Sequence, residues 1–207
     1  MIISLVNQKG GVGKTTIAIN LAYCIAVKTD KKALLIDADP QASCLQWQSV
    51  SGNNAFDVLH HPQDDFHMGG INELVKGYKN IVIDSPPGTS NTSLSILLVS
   101  DLAIVPITPS PFDIWSSEEI SPLIKLARKT NRKLKGKLLV SRKIVGTTPA
   151  RDAREALERY RMKIFETEIT QRIAYVKASI LGMAVMEYAH RTEASQEIES
   201  LCGEIIK

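Results

Sequence analysis

A glycine-rich turn, set between a short apolar run and a helix-forming stretch, limits what this chain can fold into more than any other feature. Residues 2 to 16 read Ile-Ile-Ser-Leu-Val-Asn-Gln-Lys-Gly-Gly-Val-Gly-Lys-Thr-Thr, which is the order strand, phosphate loop, helix. Glycines at 10, 11 and 13 let the backbone curl until successive N–H groups, those of Gly10, Gly11, Val12 and Gly13, point into one concavity. The N-terminus of the following helix adds its partial positive charge there. A polyphosphate fits such a cradle. Lys14 is placed to reach the β- and γ-phosphates, the Thr15 hydroxyl to ligate Mg²⁺, and Thr16 to meet the α-phosphate.

The remainder of the chain alternates apolar runs with helical periodicity. Ile17, Leu21, Ala22 and Ile25 place a first helix to about Val27, and Ala33 to Ile36 is a continuous apolar run of strand length. That run ends in Asp37-Ala38-Asp39-Pro40-Gln41. Strands buried on both faces of a parallel sheet read this way, and ligands sit beyond their carboxyl ends, so both aspartates point at the crevice of the phosphate loop. Carboxylates beside phosphates are unfavourable unless a metal or an attacking water lies between them. Capping of a helix by Asp39, with Pro40 in its first position, is a compatible structural use. Residues 49 to 70 carry little periodicity beyond a short strand near 55–59, and a weak helix spans 70–76. Tyr78 to Ile83 then leads into Asp84-Ser85-Pro86-Pro87-Gly88, a second apolar strand ending in a carboxylate, with Asp84 placed to hold Mg²⁺ through water opposite Thr15.

A helix over 91–99, a strand over 102–107 and a loop stiffened by Pro109 and Pro111 follow. Ser121-Pro122 either caps a helix or kinks one begun near Ser116, with Ile120, Leu123, Ile124 and Ala127 inward. Further segments are a strand over 137–142, a helix over 149–162 with Arg151/Glu155, Arg154/Glu158 and Glu155/Arg159 at i,i+4, a last strand over 164–169, a helix ending near Gly182 and an acidic helical tail over 187–207. The pattern predicts an α/β fold, a doubly wound and mostly parallel sheet flanked by helices, as one P-loop domain over residues 1–207 with no helix-turn-helix ahead of it.

Hydrophobic residues form 44% of the chain and charged residues 23%, with no signal-like or membrane-spanning run, so a cytoplasmic protein is expected. Cys24, Cys44 and Cys202 lack paired spacing and read as small buried hydrophobes. His60, His61 and His67 read as members of a solvated loop. The net charge of +3 hides an asymmetry: between Lys125 and Lys163 fourteen Lys or Arg face three acids, a net +11, leaving −8 elsewhere. The cluster Arg128, Lys129, Arg132, Lys133, Lys135 and Lys137 is a candidate polyanion surface, against the plain alternative of a solvated basic helix.

The loop departs from G-x-x-x-x-G-K-[ST] by carrying Gln8 and then a second lysine, Lys9. On the outer rim, Lys9 is too far round the turn to duplicate Lys14 and is better placed to meet a phosphate bound by a facing subunit. Lys9-Gly10-Gly11-Val12-Gly13-Lys14-Thr15-Thr16 resembles the deviant Walker A loop of the ParA/MinD family of ATPases, and the whole chain is similar to the small, plasmid-type ParA branch. The resemblance implies an ATP-bound sandwich dimer with Lys9 acting across it, Asp39 positioning the hydrolytic water, Asp37 tuning Mg²⁺, and Gly88 in a second switch that swings its N–H onto the γ-phosphate. It implies ATP and Mg²⁺ as cofactors and a weak ATPase. Thr108 to Asp113 resembles the family segment that walls the nucleotide, Arg142 stands where the adenine is held, and Arg172 and Lys177 are added to the candidate DNA contacts.

Three functions compete. A partition ATPase joins two basic patches in its dimer, binds DNA nonspecifically at the nucleoid and is stimulated by a ParB-like centromere-binding activator. A MinD-like membrane switch needs a basic amphipathic C-terminal helix, and the last fifteen residues carry four glutamates. An enzyme on the same loop, such as a dethiobiotin synthetase-like ligase or a nitrogenase iron-protein-like reductase, is the third; the iron–sulfur form wants cysteines between Cys44 and Cys202, where the chain has none.

Overall fold

The computed structural model describes residues 1–52, 55–88, 91–116, 119–147 and 154–206. Seven parallel strands form one sheet: β1 (Ile2–Leu5), β2 (Ala33–Asp37), β3 (Phe56–His60), β4 (Asn80–Asp84), β5 (Leu102–Ile107), β6 (Lys135–Val140) and β7 (Lys163–Ile164), in the spatial order β3-β2-β4-β1-β5-β6-β7. The order reverses direction at β1, which places the loop after β1 in the crevice where such sheets bind ligands. Every residue of β2 is buried, as the unbroken apolar run requires.

The helices are α1 (Lys14–Thr29), α2 (Ser43–Val50), α3 (Gly70–Leu74), α4 (Asn91–Val99), α5 (Pro111–Ser116), α6 (Ile120–Thr130), α7 (Ile173–Ile180), α8 (Val185–Tyr188) and α9 (Glu193–Ile205). Two cores flank the sheet. Ile17, Leu21 and Ile25 of α1 pack with Ile198 and Leu201 of α9 on one face, while Ile96 and Leu97 of α4 and Ile120 and Ile124 of α6 pack on the other. Because α1 is covered by the sheet on one side and α9 on the other, it is apolar nearly all round.

Several local expectations are corrected. Pro111 opens α5 instead of stiffening a loop, since its missing N–H costs nothing in a first turn. Pro122 neither follows a cap nor kinks a helix: it lies in the first turn of α6, which begins at Ile120. The last strand is two residues long; beyond it the chain keeps only single bonds to β6, Phe165 N–H to the Leu138 carbonyl and Ile169 N–H to that of Val140, both 2.9 Å. The tail is two helices, broken at 189–192. Residues 148–153, hence the Arg151/Glu155 pair, fall outside the described residues, and 154–158 is helical. Arg154 turns to Glu166 and Glu168 rather than to Glu158, because the chain after β7 runs alongside.

Candidate functional site: a phosphate crevice at the strand ends

The loop from Asn7 to Gly13 is held open by its glycines. Gly11 and Gly13 have φ of +76° and +93°, and a Cβ on Gly13 would also lie 3.1 Å from the Ser141 hydroxyl. The Ile17 N–H already bonds the Gly13 carbonyl at 2.9 Å, so α1 starts at the loop's edge. Lys14 is 7% exposed and folds over the turn, its ammonium donating to the carbonyls of Asn7 at 3.2 Å and Lys9 at 3.1 Å. Burial lowers its pKa against the opposing pull of Asp84 and Asp39. A charge so placed, satisfied by carbonyls alone, suits an anion in the cradle.

Asp37 and Asp84 are register partners at the ends of β2 and β4. The Thr15 hydroxyl donates to Asp84 Oδ2 at 2.6 Å, while Oδ1 of the same carboxylate is buried without a hydrogen-bond partner among the described residues. Burial, aided by nearby Asp37 and opposed by Thr15 and Lys14, pushes Asp84 up to about 7. A carboxylate with an orphaned oxygen beside a threonine hydroxyl is a donor set that fits a cation. Asp37, fully buried, accepts the N–H of Cys44 at 2.8 Å, of Leu45 at 3.3 Å and of Asp39 at 3.2 Å. It is therefore Asp37, not Asp39, whose carboxylate meets the start of α2, and the helix begins at Ser43 rather than Pro40. Asp39 accepts the Gln41 N–H at 2.9 Å and lines the crevice.

The crevice encloses about 510 Å³. Gly10, Gly11, Gly13, Lys14, Thr15 and Thr16 form one wall with Asp39 and Pro87. Ser141, Arg142 and the segment Ile169 to Arg172, with Tyr175 and Val176, form the other. Arg142 lies two residues beyond β6 and lines the crevice: its backbone has φ of +53° and its guanidinium donates to the Gly11 carbonyl. Gln171, Tyr175 and Val176 were not foreseen, and only their position just after the last strand hints at them. The Gly88 N–H donates to the Gln8 carbonyl at 2.7 Å, so any movement toward a phosphate must first break that bond. Val12 is buried, its carbonyl accepting from Ser141 at 2.9 Å.

Lys9 lies outside this crevice, on the rim of a neighbouring groove of about 550 Å³ that it shares with Thr108, Pro109 and Asp113. Its ammonium pairs with the Asp113 carboxylate of the same chain, which also accepts from the Thr108 hydroxyl. Burial alone would raise Asp113, but these bonds outweigh it and hold its pKa below the usual carboxylate range.

The proposed polyanion residues divide. Arg128, Lys129, Arg132, Lys133 and Lys135 are exposed where α6 ends and β6 begins. Of these, Arg128 and Lys135 border, with Lys125, Arg161 and Lys163, a groove of about 490 Å³ at the amino end of β6, about 17 Å of strand away from the crevice. Lys137, expected in that unpaired cluster, instead pairs with Glu204 at 3.4 Å and lies over the Phe165 ring. Arg172 is likewise occupied, with Glu193 at 2.6 Å and Glu197 at 2.9 Å. Lys177 is exposed on α7. The histidines are not free in a loop: His60 bonds the Asp39 carbonyl, His61 pairs with Asp65 and His67 with Ser95.

A family model described as an AAA domain matches residues 1–63. Maintenance of carboxysome distribution protein A of Halothiobacillus neapolitanus is 28% identical over 209 residues, covering 99% of this chain and 95% of the relative. The chromosome-partitioning ATPase Soj of Thermus thermophilus is 27% identical over 239 residues, covering 99% and 94%. Among solved structures, an ATP complex of a Cyanothece McdA variant superposes with a TM-score of 0.78 at 15% identity, covering 99% of this chain and 95% of that one. The septum site-determining protein MinD of Pyrococcus horikoshii, complexed with Mg-ADP, gives 0.75 at 18%, covering 100% and 96%.

Proposed function

From a chain similar to the ParA/MinD family of P-loop positioning ATPases, we propose an ATP-dependent dimerisation switch that holds DNA nonspecifically and is reset by hydrolysis under a partner protein's stimulus. The observation that carries it is the division of labour between two lysines of one loop. Lys14 is sealed inside the cradle, whereas the Lys9 side chain is 38% exposed on the rim. One cation serves the phosphates of its own chain, and the other is free to turn toward a second subunit once it leaves Asp113.

Gly10 to Gly13 offer backbone N–H groups to the phosphates, Thr16 its hydroxyl, and Lys14 its charge. Thr15 and Asp84, with Asp37 behind them, would hold Mg²⁺, which would supply positive charge beside the phosphates. Asp39 orients water against the γ-phosphate. Lys9 of a facing protomer adds a cation there, a contribution comparable to an arginine finger, about 10³ to 10⁵ in rate. The Gly88 N–H exchanges the Gln8 carbonyl for the γ-phosphate, and hydrolysis reverses the exchange. Without the partner the ATPase is slow.

For DNA, the exposed group at Arg128, Lys129, Arg132, Lys133 and Lys135 is the favoured surface. It lies at the end of β6 opposite the crevice, so a face-to-face dimer carries two separated patches, and the gain on dimerisation is bivalent attachment. The membrane alternative finds less support: α9 packs its apolar face on α1, and Glu197 and Glu204 are engaged within the chain. The test is co-sedimentation with arbitrary duplex DNA, with and without ATP, beside anionic liposomes. We expect ATP-dependent DNA binding that falls steeply with salt and weakens on charge reversal at Arg132, Lys133 and Lys135. Binding to liposomes alone, or to neither at any ionic strength, would refute the DNA reading.

A further inference from the structure

We propose that Asp37, Cys44 and Asp84 form a site for a thiophilic divalent cation of the zinc and cadmium class, beneath the floor of the phosphate crevice. The three side chains come from the end of β2, the first turn of α2 and the end of β4, and one ligand atom of each lies within 4.8 Å of the others. The Cys44 thiol donates to Asp84 Oδ2, with Sγ 3.6 Å from that oxygen. A tetrahedral shell with a metal–sulfur bond of about 2.3 Å and a metal–oxygen bond of about 2.1 Å sets sulfur and oxygen about 3.6 Å apart. The second, independent observation is the Asp84 carboxylate itself: the residue is 1% exposed, and its Oδ1 has no hydrogen-bond partner among the described residues. Of the three buried side-chain polar atoms without a partner among the described residues, it is the carboxylate oxygen, and such an oxygen calls for a cation.

The set differs from what Mg²⁺ selects. Magnesium takes oxygen ligands, whereas a thiolate selects softer ions. Cys44, read from the sequence as a small apolar side chain, is therefore chemically out of place in a site built only for Mg²⁺. Its supports are rigid: the Cys44 and Leu45 N–H groups both donate to Asp37 Oδ2, fixing thiol and carboxylate against each other. On binding, the thiol gives its proton to solvent as the metal–sulfur bond forms. The route in is the crevice floor, where Thr15 covers Asp84 at 2.6 Å. An ion held there takes the carboxylate from Thr15, so thiophilic cation and Mg-nucleotide exclude one another; this consequence, unlike the binding itself, rests on the proposed function.

The test is a Cd²⁺ titration of the full chain without nucleotide, following the ultraviolet charge-transfer band of the cadmium–thiolate bond. Taking wild type minus Cys44→Ala removes any signal from Cys24 and Cys202. The expected difference band saturates at one equivalent, and Asp84→Asn retains the band but weakens affinity at least about 10-fold, the loss that even outer-shell changes bring. No difference band, or an Asp84→Asn affinity equal to wild type, would overturn the proposal; the Asp84 variant decides the matter if Cys44→Ala fails to fold. Mg-ATP is added last. A raised Cd²⁺ requirement supports mutual exclusion, and a chain that bound Cd²⁺ as described but no ATP would fail the nucleotide reading while leaving the metal site standing.

Discussion

Replacing Asp113 by Asn should tighten nucleotide-dependent dimerisation. Lys9 must leave Asp113 before its ammonium can meet a phosphate across a subunit seam, so the intrachain pair opposes assembly. Its side chains are 38% and 18% exposed, which puts the pair between two regimes. Exposed ion pairs are worth about 0.2–1 kcal/mol, and hydrogen bonds to charged groups about 1.5–3 kcal/mol. About 1 kcal/mol per protomer is a fair screened value. Two such pairs break per dimer, so about 2 kcal/mol is recovered when both are removed, roughly a 30-fold fall in the dimer dissociation constant. Asparagine is chosen because its amide oxygen still accepts from the Thr108 hydroxyl, sparing the turn into α5. Sedimentation equilibrium with a non-hydrolysable ATP analogue reads the change. A dissociation constant unchanged or raised in a variant that melts like wild type would refute the reasoning.

Gly13→Ala should abolish tight ATP binding measured calorimetrically, because φ of +93° strains any side-chain-bearing residue and a Cβ would crowd the Ser141 hydroxyl at 3.1 Å. Phe165→Ala should cost about 3–5 kcal/mol in denaturant unfolding, since the ring is fully buried beneath Lys137 and its loss opens a cavity between β6 and α9. Burial would raise Glu204, but the N–H of Thr167, the N–H of Glu166 and the charge of Lys137 lower it on balance. A carboxylate whose folded pKa is depressed contributes stability above its unfolded pKa, near 4.3, and loses it as pH falls through the folded value. Glu204→Gln should therefore melt with less pH dependence than wild type below about pH 5, in thermal scans across that range.

The elements that sequence alone located are those whose signals are local. The loop at 9–16, the strand at 102–107 and the helix at 91–99 lie where the glycines and apolar runs placed them, and Asp37 and Asp84 sit side by side because both end strands of a parallel sheet. What stayed hidden depends on partners far away in the chain. Lys137 and Glu204 are 67 positions apart and Arg172 and Glu197 are 25 apart, so no local window of sequence shows either pair. The bond from Gly88 to Gln8 and the seat of Cys44 against Asp84 follow from strand register, which periodicity does not reveal. Pro111 misled for a different reason: proline marks loops and first helical turns alike.

The most direct measurement of the central claim is sedimentation velocity of wild type and Lys9→Ala with ATP, each compared with ADP. We predict that wild type shifts from monomer to dimer only with ATP, while Lys9→Ala binds ATP and stays monomeric. A wild-type chain that remains monomeric with ATP bound, or a Lys9→Ala variant that dimerises as wild type does, would contradict the role given to the rim lysine.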